Sequence, residues 1–252
     1  MSPMKITANI ITLNEEENIK EAIESVRDIC DEIVVVDSFS SDRTCEVAES
    51  LGAKVIKQKY LGDGPQKAFG VQFASNRWIL SLDADERLDD DAKEAIKQLD
   101  LENSVYDGYS FARKTFVGKQ LIKVWYPDRV VRLYDSSKCG FSTAGGHAKV
   151  DAKNVCDLNA HILHYSYKDY AEVIKTTHKF ITRGAKIAYE EGKRVKPYDP
   201  FLHGVGALFK SLILKKGILY GVNGLNIAVI SAFSSYMKYA LILEMQQKTD
   251  EK

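Results

Sequence analysis

The stretch LSLDADERL, residues 80–88, ends an apolar strand-like run in a group of acidic residues. The run that leads into it, Trp78–Leu82, has the composition of a buried strand. Alternate residues of an extended chain point to the same side, so Asp83 and Asp85 are expected to face one way, with Ala84 turned away. Two carboxylates at a strand end indicate either a ligand site or the acidic first turn of a following helix.

The first hundred residues alternate between short apolar runs and helical patterns. This alternation predicts an α/β fold with a mostly parallel sheet flanked by helices. Ligands of such sheets bind beyond the carboxyl ends of the strands, which is where Asp83 and Asp85 are expected. The predicted strands are 5–13, 32–37, 53–57 and 77–83, and the predicted helices are 15–28 (with Asn14 as N-cap), 41–51, 65–75 and 89–99.

The second half of the chain has a different pattern. Residues 107–150 are strand-rich and mixed, residues 170–192 are helical, and residues 201–243 are apolar and helical in character. We therefore expect an α/β domain over residues 1–168 and a helical, basic extension over residues 169–252.

Composition excludes some classes of protein. The 252 residues carry no net charge, which argues against a general nucleic-acid binder. The charge is uneven, because residues 171–252 contain 13 Lys and Arg against 7 Asp and Glu. Four scattered cysteines, without a CxxC pair, fit a reducing cytoplasm, and the N-terminus lacks the pattern of a signal sequence.

The pair Asp83 and Asp85 suits a hard divalent cation. Mg²⁺ and Mn²⁺ prefer oxygen ligands and commonly take one or two carboxylates together with phosphate oxygens. Such a metal would neutralise a diphosphate leaving group. The motif D-x-D is too short to be specific by itself, so the acidic helix start stays open as the alternative.

Two other segments place polar groups where strands end or helices begin. In VVVDSFSSDRT, residues 34–44, Asp37 can accept hydrogen bonds from a nucleobase or ribose, with ordinary turn chemistry as the alternative. In GDGPQK, residues 62–67, Lys67 lies near a helix N-terminus, where anions bind favourably. An ordinary surface lysine is the alternative there.

Together these segments resemble the family 2 glycosyltransferases, and within them the lipopolysaccharide inner-core subgroup. The resemblance runs in order from about residue 5 to about residue 244. It implies a GT-A fold, a nucleotide-sugar donor, a divalent metal and inversion at the anomeric carbon. The stretches that carry it are TLNEEENI (12–19), VVVDSFSSDRT (34–44), QKAFGVQFASNRWILSLDADE (66–86) and HYSYKDY (164–170).

The resemblance assigns roles to individual residues. Asp85 would hold the metal and diphosphate, and Asp83 the ribose or metal. The remaining donor-site residues would be Thr12 and Asn14 in the nucleotide pocket, Asp37 at the base or ribose, and Gln66 and Lys67 near the donor.

The segment DRVVRLYD, residues 128–135, matches a family position just before the acceptor side. There Arg129 or Arg132 could grip a phosphate in bidentate fashion. A strand arginine with a structural partner is the alternative for either residue.

The chain departs from the family pattern at the expected catalytic base. Relatives typically read His-Glu where this chain has His147 followed by Ala148, and many carry an Asp where it has Ser38. An inverting transfer needs a base that deprotonates the acceptor hydroxyl. His147 is the favoured base because of its ordinary pKa, while Asp151 and a weakened or inactive site stay open.

Residues 217–237 carry no charge and are long enough to span a membrane. Their asparagines, glycines and serines argue against a lipid-facing span. Apolar residues mixed with Lys210, Lys215 and Lys216 favour an amphipathic segment that lies on an anionic membrane surface. A soluble helical subdomain packed on the sheet is the alternative.

The sequence therefore predicts a cytoplasmic, peripheral membrane enzyme that uses Mg²⁺ or Mn²⁺. It would move a hexose from a nucleotide-diphosphate sugar, with a UDP-sugar as the first expectation, to a lipid-linked saccharide of the lipopolysaccharide inner core. The rivals are a related enzyme with another acceptor and a non-enzymatic nucleotide-sugar-binding protein. The lack of a G-x-G-x-x-G after the first strand argues against a dinucleotide-binding oxidoreductase.

Overall fold

The computed structural model describes residues 5–142 and 148–250, without the side chains of residues 249 and 250. The chain divides into two compact units. The first unit comprises residues up to 114 and residues 127–166, and the second comprises residues 115–126 and 167 onward. The predicted domain boundary between residues 168 and 169 stays a prediction.

The first unit contains a sheet whose strands, in spatial order, are β3 (Lys54–Lys57), β2 (Glu32–Asp37), β1 (Ile6–Thr12), β4 (Trp78–Asp83), β8 (Asp128–Asp135), β6 (Gly108–Val117), β9 (Val155–Tyr167) and β5 (Glu86–Leu88). The first half of this order is parallel, with β1 between β2 and β4. Strands β1, β2 and β4 are mostly buried, as flanking crossover helices require, whereas β3 lies at the edge and is partly exposed. The helices are α1 (Ile19–Val26), α2 (Thr44–Ser50), α3 (Asp63–Val71) and α4 (Asp90–Lys97).

The second half of the order is antiparallel. Its short strand β5 begins directly after Asp85, and it pairs with β9 so that Glu86 lies opposite His164. This pairing brings a strand from far along the sequence next to the end of β4. The strands of this half are β5, β6, β8 and β9.

Close packing of α3 on β1 fixes the position of the residues at the helix start. The Asn9 side-chain amide on β1 donates a hydrogen bond to the Lys67 carbonyl at 2.8 Å. A Cβ on Gly70 would come within 2.1 Å of the Asn9 Oδ1 atom, so only glycine permits this approach. Lys67 is therefore held against the sheet rather than on the free side of the helix.

The second unit is mainly helical, but it also contains the end of β6 and the short strand β7 (Gln120–Leu121) that pairs with it, followed by a 3₁₀ turn (Lys123–Trp125). Ile227 packs with Val117, Ile122 and Val173, and Ile242 packs in a separate cluster with Ala185 and Val195. Its helices are α5 (Tyr170–Glu190), α6 (Asp199–Phe209), a π-helical turn (Lys210–Leu214), a 3₁₀ turn (Gly217–Tyr220) and α7 (Gly221–Asp250).

Residues 217–248 are long and apolar enough to cross a membrane by length and composition, with a mean hydropathy of 1.4. Among the described residues they are the one helical stretch that meets this test. Core helices of soluble proteins meet the same test, so length and hydropathy alone do not decide where this helix lies.

The α/β fold with flanking helices is confirmed. Asn14, however, is not the N-cap of α1: the helix begins at Ile19 with Asn18 at the N-cap position. Asn14 has a φ of 55°, and its Oδ1 atom accepts a hydrogen bond from the Ser41 amide at 2.8 Å. Its polar side chain is thus used to hold the loop after β2, which is a role that αL-tolerant asparagine commonly takes.

Candidate active site

Strand β4 ends at Asp83, and a turn over Ala84 and Asp85 leads into β5. The alternation expected of an extended chain thus stops at Asp83. Ala84 is buried as expected, while Asp83 and Asp85 are each partly open to solvent. The two carboxylates lie at the carboxyl end of the parallel strands, where α/β sheets bind their ligands. Residues 83–86 are called the acidic turn below.

Two cations contact Asp83. The Lys67 Nζ atom lies 2.8 Å from Asp83 Oδ1, and the Arg132 Nη2 atom lies 3.1 Å from Asp83 Oδ2. Both cationic side chains are almost completely buried. Lys67 also lies 5.2 Å from the centre of the Phe141 ring. Buried cations of this kind require a close anion, and the partly exposed Asp83 supplies it.

Glu86 is the buried centre of the cluster. It accepts hydrogen bonds from Arg132 Nε at 2.9 Å, Arg132 Nη2 at 2.6 Å and Arg113 Nη1 at 3.1 Å. Its carboxylate also accepts the Asp83 backbone amide at 3.2 Å, which closes the acidic turn. Burial alone would raise the pKa of Glu86, but the charges of Arg132, His164 and Lys67 hold it well below its usual range.

Arginine and aspartate continue the network away from the turn. Arg113 donates to Asp128 from Nε at 2.9 Å and from Nη2 at 2.5 Å. Burial would lower the pKa of Arg132, yet the charges of Glu86 and Asp83 raise it above its usual value. The Arg132 guanidinium that orients the acidic turn therefore remains charged.

Asp85 faces a histidine. The His164 Nε2 atom lies 3.2 Å from Asp85 Oδ2, and the Asp85 carbonyl accepts the Tyr165 amide at 2.9 Å. Burial lowers the pKa of His164, but the hydrogen bond to Asp85 and the charges of Asp85 and Glu86 more than offset this and raise it above 6.5. Sequence analysis assigned no role to His164.

The nucleotide-side residues lie on the neighbouring strands. In the sheet register, Thr12 lies opposite Asp37, and Ile11 lies opposite Asp83. Asp37 is fully buried and accepts hydrogen bonds from the Ser40 amide and hydroxyl. The Thr12 hydroxyl is buried and, within the described part of the chain, has no hydrogen-bond partner. A buried, unpaired hydroxyl at a ligand edge is a polar group that a ligand could satisfy.

Gln66 is buried on the first turns of α3. Its Nε2 atom donates to Ser38 Oγ at 3.1 Å and to the Gln58 carbonyl at 3.2 Å, and its Oε1 atom accepts the Leu61 amide at 3.2 Å. Gln66 thus connects the segment before α3 to the loop after β2. Ser38, where many family members carry an Asp, is part of this connection.

The structure separates the two arginines of β8. Arg132 reaches the acidic turn, whereas Arg129 donates to Ser110 Oγ and the Leu158 carbonyl at 3.2 Å each, and its Nε atom lies 3.6 Å from Asp157. The pairing of β8 with β6 is irregular at this point, because Val131 lies opposite Ser110 and Leu133 lies opposite Tyr109, so Arg132 is an extra residue on β8. Simple alternation therefore does not relate the two arginines, and only their contacts show which one reaches Asp83 and Glu86.

The favoured base, His147, lies outside the described residues. Ser142 and Ala148, which flank residues 143–147, both lie against Gly64 in the first turn of α3. Ala148 packs with an apolar cluster around Tyr134, and Asp151 is exposed. Ser142 and Ala148 therefore both lie close to the helix that carries Lys67.

A second group of possible metal ligands lies beyond the acidic turn. One ligand atom from each of Asp89, Asp91 and His161 falls within 4.8 Å of the others. Asp89 also caps α4 by accepting the Ala92 amide at 2.9 Å, and its carboxylate lies 3.6 Å from Lys114 Nζ. These contacts give Asp89 a structural role that needs no metal.

The chemistry of Asp83 and Asp85 suits a cation better than that of the second group does. These two aspartates offer oxygen atoms at a partly open turn, and a histidine nitrogen lies beside Asp85. Mg²⁺ and Mn²⁺ take such ligands together with phosphate oxygens. The residues present therefore fit a divalent cation, with Lys67 and Arg132 placed to contact anionic groups near it.

Comparison with known proteins adds three findings. The family model described as Glycosyl transferase family 2 matches residues 7–140, which is more than half of the chain. An uncharacterized glycosyltransferase of Rickettsia typhi is 28% identical, over 97% of this chain and 89% of its own length. The lipopolysaccharide core biosynthesis glycosyltransferase LpsC of Rhizobium meliloti is 28% identical, over 94% of each chain.

Among solved structures, S. aureus TarS 1–349 in complex with UDP is similar at a TM-score of 0.49 and 14% sequence identity. The similarity covers 98% of this chain and 92% of that one.

Proposed function

Because the chain belongs to the family 2 glycosyltransferases, we propose that it moves a hexose from a nucleotide-diphosphate sugar to a lipid-linked saccharide. A UDP-sugar is the first donor to test, and the saccharide is a lipopolysaccharide inner core. The family membership confirms the resemblance seen in the sequence. The donor, the acceptor, inversion at the anomeric carbon and metal dependence belong to the proposal.

The observation that carries the proposal is the acidic turn with its two buried cations. Lys67 and Arg132 both contact Asp83 at the carboxyl end of β4. A diphosphate bound at this edge would meet both cations at a helix N-terminal turn, where anions bind favourably. Asp83 keeps the cations in place while no donor is bound.

The nucleotide would bind at the neighbouring strand ends. The Thr12 hydroxyl and the Asp37 carboxylate lie in register beside each other, and the Asn14 side chain holds the adjoining loop. Asp37 would accept a hydrogen bond from the base or ribose in exchange for one from Ser40. Gln66 would act by positioning the loop at Ser38.

Asp85 and Asp83 would hold the metal, and His164 lies beside Asp85. A bound Mg²⁺ or Mn²⁺ would supply Lewis-acid stabilisation of the leaving diphosphate. Lys67 and Arg132 would add positive charge at the same oxygens, and Glu86 would keep the Arg132 guanidinium in a fixed orientation. Preorganised charge of this kind stabilises the transition state without reorganisation during the reaction.

The base that takes the acceptor proton is proposed to be His147, with Asp151 as the alternative. If His147 is the base, His147→Ala lowers the transfer rate by about a hundredfold or more, while donor binding is unchanged. Asp151→Ala is the comparison variant. Near-normal transfer by a folded His147→Ala protein would remove His147 from this role.

The acceptor proposal is supported by the likeness to LpsC along almost the whole chain. A lipid-linked acceptor would place the enzyme at the cytoplasmic face of the inner membrane as a peripheral protein. Transfer to a polyprenyl-phosphate, capsular or protein-linked acceptor is the competing substrate class. Assays with truncated inner-core saccharides and with polyprenyl phosphates separate these classes.

The experiment that tests the proposal is donor binding by calorimetry. A panel of UDP-, GDP- and ADP-sugars is titrated into the full chain with Mn²⁺ and after chelation of divalent metal. We expect one donor to bind in a metal-dependent way, and Asp85→Ala to weaken this binding by about a hundredfold or more.

Asp91→Ala is the matched control, because Asp91 is an exposed acid of the other possible metal group. It should leave donor binding unchanged. Equal loss of donor binding in both variants, or donor binding that does not depend on metal, would contradict the assignment of the metal to the acidic turn. Absence of binding to every donor by folded protein would contradict the proposed function.

A further inference from the structure

The second unit exposes many large apolar side chains within a short part of the chain. Leu219 and Val222 are 72% and 73% exposed. Soluble monomers rarely expose apolar residues so densely without an interaction partner. The exposed residues from α6 to the middle of α7 are Phe201, Leu202, Val205, Phe209, Ile213, Leu214, Ile218, Leu219, Val222, Leu225, Val229, Phe233 and Tyr236.

Several of these residues lie where α6 and α7 meet. On α7 they recur at helical spacing, from Val222 and Leu225 to Val229, Phe233 and Tyr236, and so form one stripe. Residues of this stripe and of α6 line a groove of about 350 Å³. The groove is lined by Phe201, Gly204, Val205, Leu208, Val229, Ala232, Phe233 and Tyr236. This surface is called the α6–α7 face below.

The opposite side of α7 is fastened within the same unit. Ile227 and Ile242 are fully buried in separate apolar clusters. Near the end of the helix, the Gln246 side chain accepts the Val195 amide at 2.7 Å and donates to the Val195 carbonyl at 3.0 Å. A helix held along both ends by its own unit is not free to cross a bilayer by itself.

Charge indicates the partner of this face. Between Asp199 and Glu244 the sequence contains Lys210, Lys215, Lys216 and Lys238 and no acidic residue. The first three lysines lie in and just after the π-helical turn that follows α6, and they are exposed. A surface that combines exposed apolar residues with unopposed positive charge is complementary to anionic lipid headgroups over acyl chains.

We propose that the α6–α7 face docks on an anionic lipid bilayer, with its apolar residues in the interface and its lysines at the headgroups. The groove between the helices would take lipid acyl chains, and α7 would lie on the membrane rather than span it. This inference names the lipid surface that a lipid-linked acceptor requires, and to that extent it rests on the proposed function.

The test is flotation of the full chain with phosphatidylcholine vesicles, with and without about one quarter phosphatidylglycerol. We expect binding to the anionic vesicles, and Phe233→Asp to lower it by about tenfold or more. The matched control is Phe180→Asp on α5, because Phe180 is also an exposed phenylalanine of the second unit and does not line the groove. Equal loss in both variants, or no binding by the wild type, overturns the proposal.

The contribution of the lysines to vesicle binding is tested with two matched triple variants. Reversal of Lys210, Lys215 and Lys216 to Glu should weaken binding to anionic vesicles by about a hundredfold or more, because loss of each lysine alone removes about a fivefold increase and each new glutamate is repelled. Reversal of the exposed α5 lysines changes the net charge equally and should have a much smaller effect. These control positions are Lys175, Lys179 and Lys186. Equal loss from both triple variants would mean that net charge, and not this face, directs binding, and would overturn the proposal.

Two other occupants of the face give different results. A second copy of the chain would produce dimers in analytical ultracentrifugation that Phe233→Asp dissociates, without binding to vesicles. A spanning α7 would keep the protein in membranes during extraction at high pH, whereas a docked protein is released. Either result overturns the proposal.

Donor binding by Phe233→Asp separates the two proposals. If the wild type binds vesicles but no nucleotide sugar, the docking proposal stands and the proposed function fails. If Phe233→Asp binds donor like the wild type but fails to bind vesicles, both proposals are supported.

Discussion

The acidic turn of the first unit and the α6–α7 face of the second unit differ in where they place unfavourable side chains. The acidic turn buries charged side chains, and the α6–α7 face exposes apolar ones. In the acidic turn, buried charges of both signs compensate each other, as Glu86 does for Arg132 and Arg113. On the α6–α7 face, apolar residues are exposed and the lysines have no acidic residue near them in sequence.

The difference shows how each region can meet a ligand. A donor at the acidic turn must replace protein contacts, because the cations that would hold it are already paired with Asp83. A partner of the α6–α7 face replaces only water. The first arrangement favours selectivity, since an imperfect ligand leaves a buried charge unpaired. The second favours general adhesion to a surface.

The largest effect on stability is expected at Glu86, the buried centre of the acidic turn. Glu86→Gln should lower the free energy of unfolding of the full chain by about 3–5 kcal/mol, because Arg132 and Arg113 lose a buried counter-charge. Urea denaturation followed by tryptophan fluorescence measures this. The loss should shrink as the pH falls below about 4, because the depressed pKa of Glu86 stabilises the fold only where the unfolded carboxyl is ionised.

The matched control is Glu21→Gln, since the Glu21 carboxylate lies 3.5 Å from Arg87 but is half-exposed. It should cost no more than about 1 kcal/mol. Similar small losses in both variants would mean that solvent screens the charges of the network around the acidic turn.

The second prediction concerns the two sides of α7. Ile227→Ala should lower the free energy of unfolding by about 2–5 kcal/mol, because Ile227 is fully buried against Val117, Ile122 and Val173. Val229 lies two residues further along α7, on the exposed stripe. Val229→Ala should therefore change the free energy of unfolding by no more than about 0.5 kcal/mol. Equal effects in urea denaturation would mean that Val229 is covered in the isolated protein.

The third prediction concerns the cation of α3. Lys67→Ala should weaken binding of the donor by about tenfold to a hundredfold, because a charge-assisted contact to the diphosphate is lost. Lys54→Ala removes an exposed lysine from β3 and serves as the control. Calorimetry with the donor identified for the wild type measures both. A donor affinity unchanged by Lys67→Ala would assign Lys67 to the folding of the acidic turn alone.

The smallest effect is expected at His164. Its pKa is raised in the folded protein, so its contact with Asp85 stabilises the fold fully below about pH 6.5, and this stabilisation is lost as the pH rises through the folded pKa. Metal-free wild type should therefore lose stability relative to His164→Gln as the pH rises above about 6.5. Parallel pH profiles for the two proteins would contradict a charged His164 beside Asp85.

The amino-acid sequence determined the parallel half of the sheet and the place of the acidic turn. Apolar β-branched runs that alternate with helical patterns have few other stable arrangements, and register then places Asp37 and Asp83 at one edge. A missed signal was the acid at position 86, because Glu86 alternates with Leu88 on the short strand β5 and is buried with it. A glutamate at a buried strand position requires cationic partners.

Only the tertiary structure decided which partners those are. Arg113, Arg132 and His164 come from β6, β8 and β9, and antiparallel pairing brings them to the acidic turn. Such pairing cannot be predicted from local sequence, because strand pairing depends on strand order and register across the whole sheet. The same holds for the α6–α7 face: the sequence contained its apolar residues and lysines, but packing decided which side of α7 remained exposed.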